Sequence, residues 1–142
     1  MKDRIIKERI LKHPIDKIWN AITKQEEISN WFLPADFNAE VGYHYTFNSP
    51  DKENCEPIIG IIKQATPYTL IYTWKIEGTD VDTIVKWELT ETSEGTKLVL
   101  EHSGISNYAG TTAIEMYTSF NGGWDNCLTG LLNYLIQEVH AG

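Results

Sequence analysis

The last third of the chain constrains the fold more than any other segment. Residues 95–104 read Gly-Thr-Lys-Leu-Val-Leu-Glu-His-Ser-Gly, an alternating run that is typical of a β-strand. A long apolar helical pattern follows it and contains Gly122, Gly123 and Trp124. Because the preceding two thirds are mostly strand-like, this helix has to pack across a sheet. We therefore predict that the two layers enclose several aromatic side chains and one histidine, an arrangement that favours a small-molecule cavity.

The helical pattern has a clear register. Apolar residues recur every three or four positions over about 22 residues, or ~33 Å at 1.5 Å per residue. They are Ala113, Tyr117, Phe120, Trp124, Leu128, Leu131 and Leu135. The glycines at 122 and 123 cost a helix roughly 2 kcal/mol relative to alanine. We expect either a kink or a close approach of the sheet to the helix backbone beside Trp124 to account for them.

The N-terminal region predicts one strand and two short helices. Residues 3–11 alternate weakly and favour a strand. Pro14 suits the first position of a helix, where its missing N–H costs nothing. A helical stripe follows at Ile15, Ile18, Trp19 and Ile22. Thr23 and Glu26 have the spacing of a capping box, which predicts a second helix that ends near Trp31.

The middle of the chain has the period of β-structure. Between residues 37 and 103 the apolar residues recur at every second position, and short turn signals separate the runs, as at residues 77–80 and 94–95. Successive strands joined by short turns form antiparallel hairpins. The pattern thus predicts an α+β fold, an antiparallel meander covered by a long C-terminal helix.

Composition excludes several classes of function. The 142 residues suit a single domain over residues 1–142. A net charge of −8 without a cluster of lysines and arginines argues against nucleic acid as a partner. The N-terminus has no signal-peptide pattern, and the chain has no apolar run long enough for a membrane span. Cys55 and Cys127 fit neither a zinc site nor a disulfide framework. We expect a cytoplasmic protein with no cofactor and no metal.

Four motifs carry a family resemblance and occur in order along nearly the whole chain. They are residues 14–23 followed by Trp31-Phe32; Gly60-Ile61-Ile62 with Pro67 and residues 70–74; residues 95–104; and Gly123-Trp124 with Leu128, Leu131, Tyr134 and Leu135. The chain resembles the SRPBCC superfamily of START-like, birch-pollen-allergen-type proteins. Within that superfamily it is similar to the C-terminal domain of the activator of the ninety-kilodalton heat-shock-protein ATPase.

The resemblance implies a helix-grip fold, in which a curved antiparallel sheet of six or seven strands grips the long C-terminal helix around a cavity. Two short helices lie near the N-terminus in this arrangement. The chain departs from the family pattern at residues 31–34, Trp-Phe-Leu-Pro, where two tryptophans and then Gly-Pro are frequent. It also has Gln25 in place of a proline. Both departures fall at the expected mouth of the cavity.

The inward-facing aromatic residues are the candidate ligand contacts. Any one of them could serve only to pack the core. Together they are numerous and bulky enough to favour a pocket, since ligand sites are usually apolar and aromatic with a few polar groups. The predicted apolar contacts are Trp31, Phe47, Trp74, Trp87, Tyr117, Phe120 and Trp124, and the predicted polar groups are Tyr72, Tyr117 and His102.

His102 is the one titratable residue that the pattern singles out, because it shares a strand face with Leu98 and Leu100. Three roles are open to it. It could cap the end of the sheet through hydrogen bonds to backbone or tyrosine, or it could orient a ligand carbonyl or hydroxyl. It could also act in acid–base catalysis, which needs a partner within hydrogen-bond reach that the sequence does not identify.

Three functions follow from these observations. The leading hypothesis is the binding of a small hydrophobic or aromatic molecule, lipid-like or polyketide-like, between the sheet and the C-terminal helix. The resemblance also implies a stress-response module that contacts a heat-shock ATPase. A third possibility is an enzyme that resembles polyketide cyclases or dehydratases. We predict a binding protein rather than an enzyme, because the sequence contains no nucleophile elbow, phosphate-binding loop or metalloprotease helix.

Overall fold

The computed structural model describes residues 3–48, 56–109 and 111–141 of the chain, and within those ranges it contains seven strands and three α-helices. In chain order these elements are β1 (Ile5–Leu11), α1 (Ile15–Thr23), α2 (Gln25–Trp31), β2 (Ala35–Asp36), β3 (His44–Phe47), β4 (Ile58–Thr66), β5 (Thr69–Ile76), β6 (Thr83–Thr92), β7 (Gly95–Ser103) and α3 (Thr111–Ala141). A short 3₁₀ helix, Ile105–Asn107, connects β7 to α3.

The seven strands form one antiparallel sheet in the order β1-β7-β6-β5-β4-β3-β2. Strands β2 to β7 follow one another as the predicted meander, because short connections bring consecutive strands side by side. The first strand completes the sheet by pairing with β7, from Ile5 opposite His102 to Leu11 opposite Thr96. The curved sheet, the two short N-terminal helices and the long α3 confirm the predicted helix-grip fold of class α+β.

The inner face of the sheet and one stripe of α3 build the core. On β7 the residues Thr96, Leu98, Leu100 and His102 are all buried, as the alternation predicted. The predicted stripe of α3 is also confirmed for Ala113, Trp124, Leu128, Leu131 and Leu135, which are buried. Tyr117 and Phe120 are half-buried, so the stripe is less tightly covered toward the N-terminal half of α3.

Of the two alternatives expected for the glycine pair in α3, the close approach of the sheet is wrong. A Cβ atom added at Gly122 or Gly123 would meet no other heavy atom within 4 Å. A close approach to α2, not to the sheet, lies further along the helix at Gly130, where a Cβ atom would be 3.3 Å from the carbonyl oxygen of Trp31. Near residues 122–123 the helix backbone stays away from the sheet, and the bulky side chain of Trp124 makes the contact with it.

The predicted capping box at the start of α2 is also wrong. Thr23 belongs to the last turn of α1, and its hydroxyl donates a hydrogen bond to the carbonyl oxygen of Trp19 at 2.6 Å. Lys24 occupies the position before α2 and makes no side-chain cap. A threonine hydroxyl can donate to the carbonyl oxygen four residues earlier, or it can accept from a backbone N–H later in the chain as a helix cap. The spacing of Thr23 and Glu26 alone did not decide between these two hydrogen bonds.

A chain of hydrogen bonds joins α3 to three strands. The indole Nε1 of Trp124 lies 2.9 Å from His102 Nδ1, and His102 Nε2 lies 2.6 Å from Thr83 Oγ1. An indole N–H can only donate, so Nδ1 accepts and the ring proton is on Nε2. His102 therefore donates to Thr83, whose hydroxyl donates to the carbonyl oxygen of Trp74 at 3.1 Å. Each donor in this buried chain has an acceptor only while His102 is neutral.

Burial lowers the pKa of His102 from 6.5 to about 4. The side chains around its ring are those of Thr83, Trp74, Phe120 and Trp124, none of which titrates near neutral pH. A proton on Nδ1 would remove the acceptor for Trp124 and place a charge inside the core. Protonation of His102 and docking of α3 therefore oppose each other.

We predict that the free energy of unfolding falls as the pH is lowered from about 6.5 to about 4. Between these values the unfolded chain binds a proton at His102 that the folded chain does not, so stability is fully present above the unfolded pKa and is lost below it. At about 1.4 kcal/mol per pKa unit, the loss is on the order of 3 kcal/mol. Urea unfolding at several pH values across this window measures it.

The control is the His102→Gln variant, which keeps a donor and an acceptor but does not titrate. Its free energy of unfolding should fall by less over the same pH range, because the only titrating groups left are those that it shares with the unmodified chain, namely the carboxyl groups and the other histidines, among them His13, whose pKa burial lowers. An equal fall in both proteins would show that His102 is not the group responsible.

Candidate functional site

A cavity of about 220 Å³ lies between the inner face of the sheet, α3 and the segment that follows α2. Its walls come from segments that are far apart in the sequence, so it forms only when α3 docks on the sheet. The residues that line it are Phe32, Leu33, Trp74, Ser119, Phe120, Gly123 and Trp124.

Two tryptophans form the inner wall of the cavity. Trp74 faces inward from β5, where the alternation with Leu70 and Tyr72 sets the same side. Trp124 belongs to the buried stripe of α3, and its hydrogen bond to His102 holds its indole in place. The two ring centroids are 5.2 Å apart with an interplanar angle of 54°. Tilted rings at this distance leave an angular gap beside them.

Phe32 forms the opposite wall, directly after the end of α2. Its ring stacks on that of Trp124, with centroids 6.3 Å apart and an interplanar angle of 19°. It also meets Phe47 edge to face at 5.3 Å and Trp31 at 5.4 Å. These contacts tie the segment after α2 to both the sheet and α3, and they place Leu33 beside the opening.

Beside the two aromatic residues Phe120 and Trp124, α3 also presents a strip of the cavity wall that carries very little side-chain volume. Ser119 and Gly123 are four residues apart, so they lie on the same face of α3. The position where a Cβ atom of Gly123 would lie is open space. Gly123 is exposed and lines the cavity, so its missing side chain leaves this edge of the cavity open.

Three of the nine predicted ligand contacts, Trp74, Phe120 and Trp124, line this cavity. Four others lie one layer behind the wall, each with its ring against a lining residue. The contacts are Trp31 with Phe32 at 5.4 Å, Phe47 with Phe32 at 5.3 Å, Trp87 with Trp124 at 6.0 Å, and His102 with Phe120 at 4.5 Å.

The two predicted tyrosines lie away from the cavity wall. The hydroxyl of Tyr72 is deep in the core and accepts a hydrogen bond from Trp87 Nε1 at 2.9 Å, and burial raises the pKa of Tyr72 well above its usual range. Tyr117 is half-buried on α3 and is not one of the lining residues.

Four lining residues were not among the predicted contacts, namely Phe32, Leu33, Ser119 and Gly123. Sequence signals for them existed. Phe32 and Leu33 belong to the four-residue segment expected at the cavity mouth. Ser119 and Gly123 directly precede Phe120 and Trp124 in the chain, so the helical period places them on an adjoining strip of the same helix.

Two buried polar atoms close to the cavity have no hydrogen-bond partner among the described residues. One is Nε1 of Trp74 and the other is the hydroxyl of Tyr108. The ring of Phe120 lies near both, with its centroid 6.3 Å from each of the other two rings. Neither nitrogen of His102 is similarly free, because both take part in the hydrogen-bond chain that holds α3.

A second depression, of about 430 Å³, lies on the outer face of the sheet over β3, β4 and β5. Its lining includes His44, Lys63, Lys75 and Asp82, so it is more polar than the inner cavity. Within the described ranges, no three His, Cys, Asp or Glu side chains come together in a way that could hold a metal ion. No helix in the part of the chain that is described has the length and hydropathy needed to cross a membrane.

Comparison with known proteins places this geometry in context. Protein MLL2253 of Mesorhizobium loti is 26% identical over 94% of this chain and 97% of its own, with a TM-score of 0.84. BH1534 of Bacillus halodurans is 26% identical over 94% and 99%, with a TM-score of 0.74. CalU16 of Micromonospora echinospora is 25% identical over 97% and 79%, with a TM-score of 0.76. None of the curated proteins compared matches this chain.

The match to a family extends over most of the sequence. The family described as Activator of Hsp90 ATPase homolog 1-like protein matches residues 12–135, from the residue that follows β1 to the buried Leu135 of α3. This range includes both short helices, the meander and every residue that lines the cavity. The chain therefore belongs to the Activator of Hsp90 ATPase homolog 1-like family.

Proposed function

We propose that the protein binds a small apolar or aromatic molecule in the cavity between α3 and the sheet. The observation that carries this proposal is an open space of about 220 Å³ walled by four aromatic rings, those of Phe32, Trp74, Phe120 and Trp124. Such a wall offers a guest ring stacked and edge-to-face contacts on several sides. It carries no charged side chain, so an uncharged ligand fits it best.

The volume limits the size of the guest. Drug-sized ligands occupy pockets of roughly 300–1,000 Å³, whereas an apolar cavity of about 150 Å³ can hold benzene. The space beside Trp74 therefore suits one or two rings. A larger lipid-like or polyketide-like molecule would need the half-buried Phe120 side chain to move aside. The burial of apolar surface at about 25 cal/mol per Å² supplies the driving force, which suggests dissociation constants on the order of 10 µM to 1 mM.

We predict that indane, a two-ring hydrocarbon, binds to the protein. Binding should change the tryptophan fluorescence, because two indoles form the cavity wall, and should raise the melting temperature by about 2–5 °C at millimolar concentration. Fluorescence titration and thermal unfolding measure the two effects. No change in either signal with indane or with a wider set of apolar and lipid compounds would remove the proposal.

The two neighbouring glycines of α3 provide a matched pair of variants. In Gly123→Leu the new side chain enters the cavity, so the affinity for indane should fall at least about 10-fold. In Gly122→Leu the new side chain meets open space outside the lining residues, so the affinity should stay within about 2-fold. Both variants should be more stable than the unmodified chain by about 1 kcal/mol, because leucine favours a helix more than glycine does. Equal affinities in the two variants would place the ligand elsewhere.

The family gives a second candidate, a module that acts on a heat-shock ATPase. The description of the matching family, Activator of Hsp90 ATPase homolog 1-like protein, is the observation that favours it. This function would use a surface of the protein instead of its interior. It therefore makes a different prediction for the variants that fill the cavity.

If the protein acts on a heat-shock ATPase, its addition in excess should raise the rate of ATP hydrolysis by the Hsp90-type ATPase of the same organism. A coupled assay of ADP release measures the rate. Gly123→Leu should stimulate as well as the unmodified chain, because the substitution changes the surface only beside the cavity. A rate that stays constant over the whole concentration range would exclude this candidate and leave the ligand-binding proposal intact.

A further inference from the structure

The depression on the outer face of the sheet, over β3, β4 and β5, forms where two strands part. Strands β4 and β5 pair up to Ile59 and again from Ile62, and the backbone pairing is interrupted between these residues. There the N–H of Ile61 donates to the side-chain oxygen of Thr73 at 2.8 Å, and the carbonyl oxygen of Thr73 accepts from the hydroxyl of Tyr45 at 2.6 Å. Side chains thus replace backbone partners at this point, which leaves a hollow of about 430 Å³.

This arrangement requires glycine at residue 60. Gly60 pairs with Tyr45 across the β3–β4 ladder, and a Cβ atom on it would collide with the Tyr45 ring and the carbonyl oxygen of Thr73. Tyr45 belongs to the lining of the depression although it is only 1% exposed. The hollow is therefore built into the sheet and is not a gap left between flexible surface side chains.

The lining of the outer depression has hydrogen-bond donors that the protein does not use. Lys63 is exposed and Lys75 is half-buried, so a ligand in the depression can reach both. Neither ammonium group has an ion pair or a hydrogen bond among the described residues, whereas Lys86, on the same face of the sheet, pairs with Glu88 at 3.2 Å. The hydroxyl of Thr73 already accepts a backbone N–H, and its own proton has no acceptor in the described part of the chain.

The charge of the lining limits what can bind. Asp82 is its one carboxylate, and it makes no ion pair with either lysine within the described ranges. With His44 neutral, two lysines and one aspartate leave a single excess positive charge, in a chain whose net charge is −8. A ligand with one negative charge neutralises this excess, whereas a phosphate dianion would overcompensate it close to Asp82. The half-buried side chains of Ile59 and Ile61 add apolar surface beside the charges.

We propose that the outer depression binds a small carboxylate with an apolar body, such as a one- or two-ring aromatic acid. The carboxylate accepts hydrogen bonds from the ammonium groups of Lys63 and Lys75 and from the hydroxyl of Thr73. The body of the ligand covers Ile59 and Ile61. The site lies on the opposite side of the sheet from the cavity and goes beyond the function proposed there, because the cavity favours an uncharged guest and the depression a monoanion.

The test titrates the isotope-labelled chain with 2-naphthoate and, separately, with 2-naphthalenemethanol, which has the same two rings but no charge. By NMR, 2-naphthoate should shift the amide resonances of Ile61 and Thr73, with a dissociation constant on the order of 1 mM because exposed ion pairs are weak. Raising the salt concentration from about 20 to about 300 mM should weaken this binding about 2- to 4-fold, since salt screens exposed charges. The uncharged compound should leave these two resonances nearly unchanged.

Surface variants give the energetic counterpart. The double variant Lys63→Gln, Lys75→Gln should bind 2-naphthoate about 3- to 10-fold more weakly. Lys86→Gln is the matched control, because it removes the same charge from the outer face but outside the depression, so the affinity should stay within about 1.5-fold. Asp82→Asn removes the opposing carboxylate and should strengthen binding about 2-fold.

The remaining outcomes would overturn the inference without touching the cavity proposal, which has its own test with indane. They are the absence of a saturable shift at Ile61 and Thr73 up to about 10 mM 2-naphthoate, and an equal response of these resonances to 2-naphthalenemethanol. An equal loss of affinity in Lys86→Gln would show that binding follows overall charge. Inorganic phosphate should bind at least about 10-fold more weakly than 2-naphthoate, and equal affinity would show that the apolar body is not recognised.

Discussion

The buried hydrogen-bond chain from Trp124 through His102 and Thr83 to the carbonyl of Trp74 sets the relation between the helix and the sheet. It links α3 to β7, β6 and β5. Each donor in it has an acceptor only while the imidazole of His102 is neutral. Because the indole of Trp124 must reach a histidine on the sheet, the helix backbone stays a side chain's length away at that point. The pairing thus determines both how α3 docks and how much room remains beneath it.

This arrangement also bears on the possible roles of His102. A histidine that orients a ligand or transfers a proton needs a nitrogen free to meet the substrate, whereas here Nδ1 accepts from Trp124 and Nε2 donates to Thr83. Its burial further lowers its pKa to about 4, so it is a weak base at neutral pH. Either of the two active roles would require this ring to give up a bond that helps to hold α3. The structural role, in which the histidine joins helix and sheet, requires no such change.

The cavity results from aromatic packing together with a missing side chain. Large rigid rings at centroid distances of 5–6 Å cannot fill every angle between them, and at Gly123 the helix offers nothing to fill the remainder. An alanine there would favour the helix and reduce the space. Glycine at this position therefore makes the helix less stable and leaves the cavity larger. At Gly130, by contrast, the absence of a side chain lets α3 approach Trp31 closely, so glycines of the same helix serve opposite purposes.

The division between what the sequence determined and what the tertiary structure decided follows from the range of the interactions. Periods of two and of three to four residues are local, so they predicted the strands, the buried stripe of α3 and, with the family motifs, the helix-grip fold. They could not identify which side faces inward where both sides are apolar. On β1, Ile6 and Ile10 are 56% and 50% exposed, while Ile5 and Leu11 are buried.

Likewise, nine aromatic and histidine positions were expected around a ligand, and only the docking of α3 on the sheet separated the three that line the cavity from the other six. Hydrogen-bond partners and empty volume depend on how distant segments meet. That is why the partners of His102, the unpaired Nε1 of Trp74 and the space at Gly123 could be read only from the folded chain.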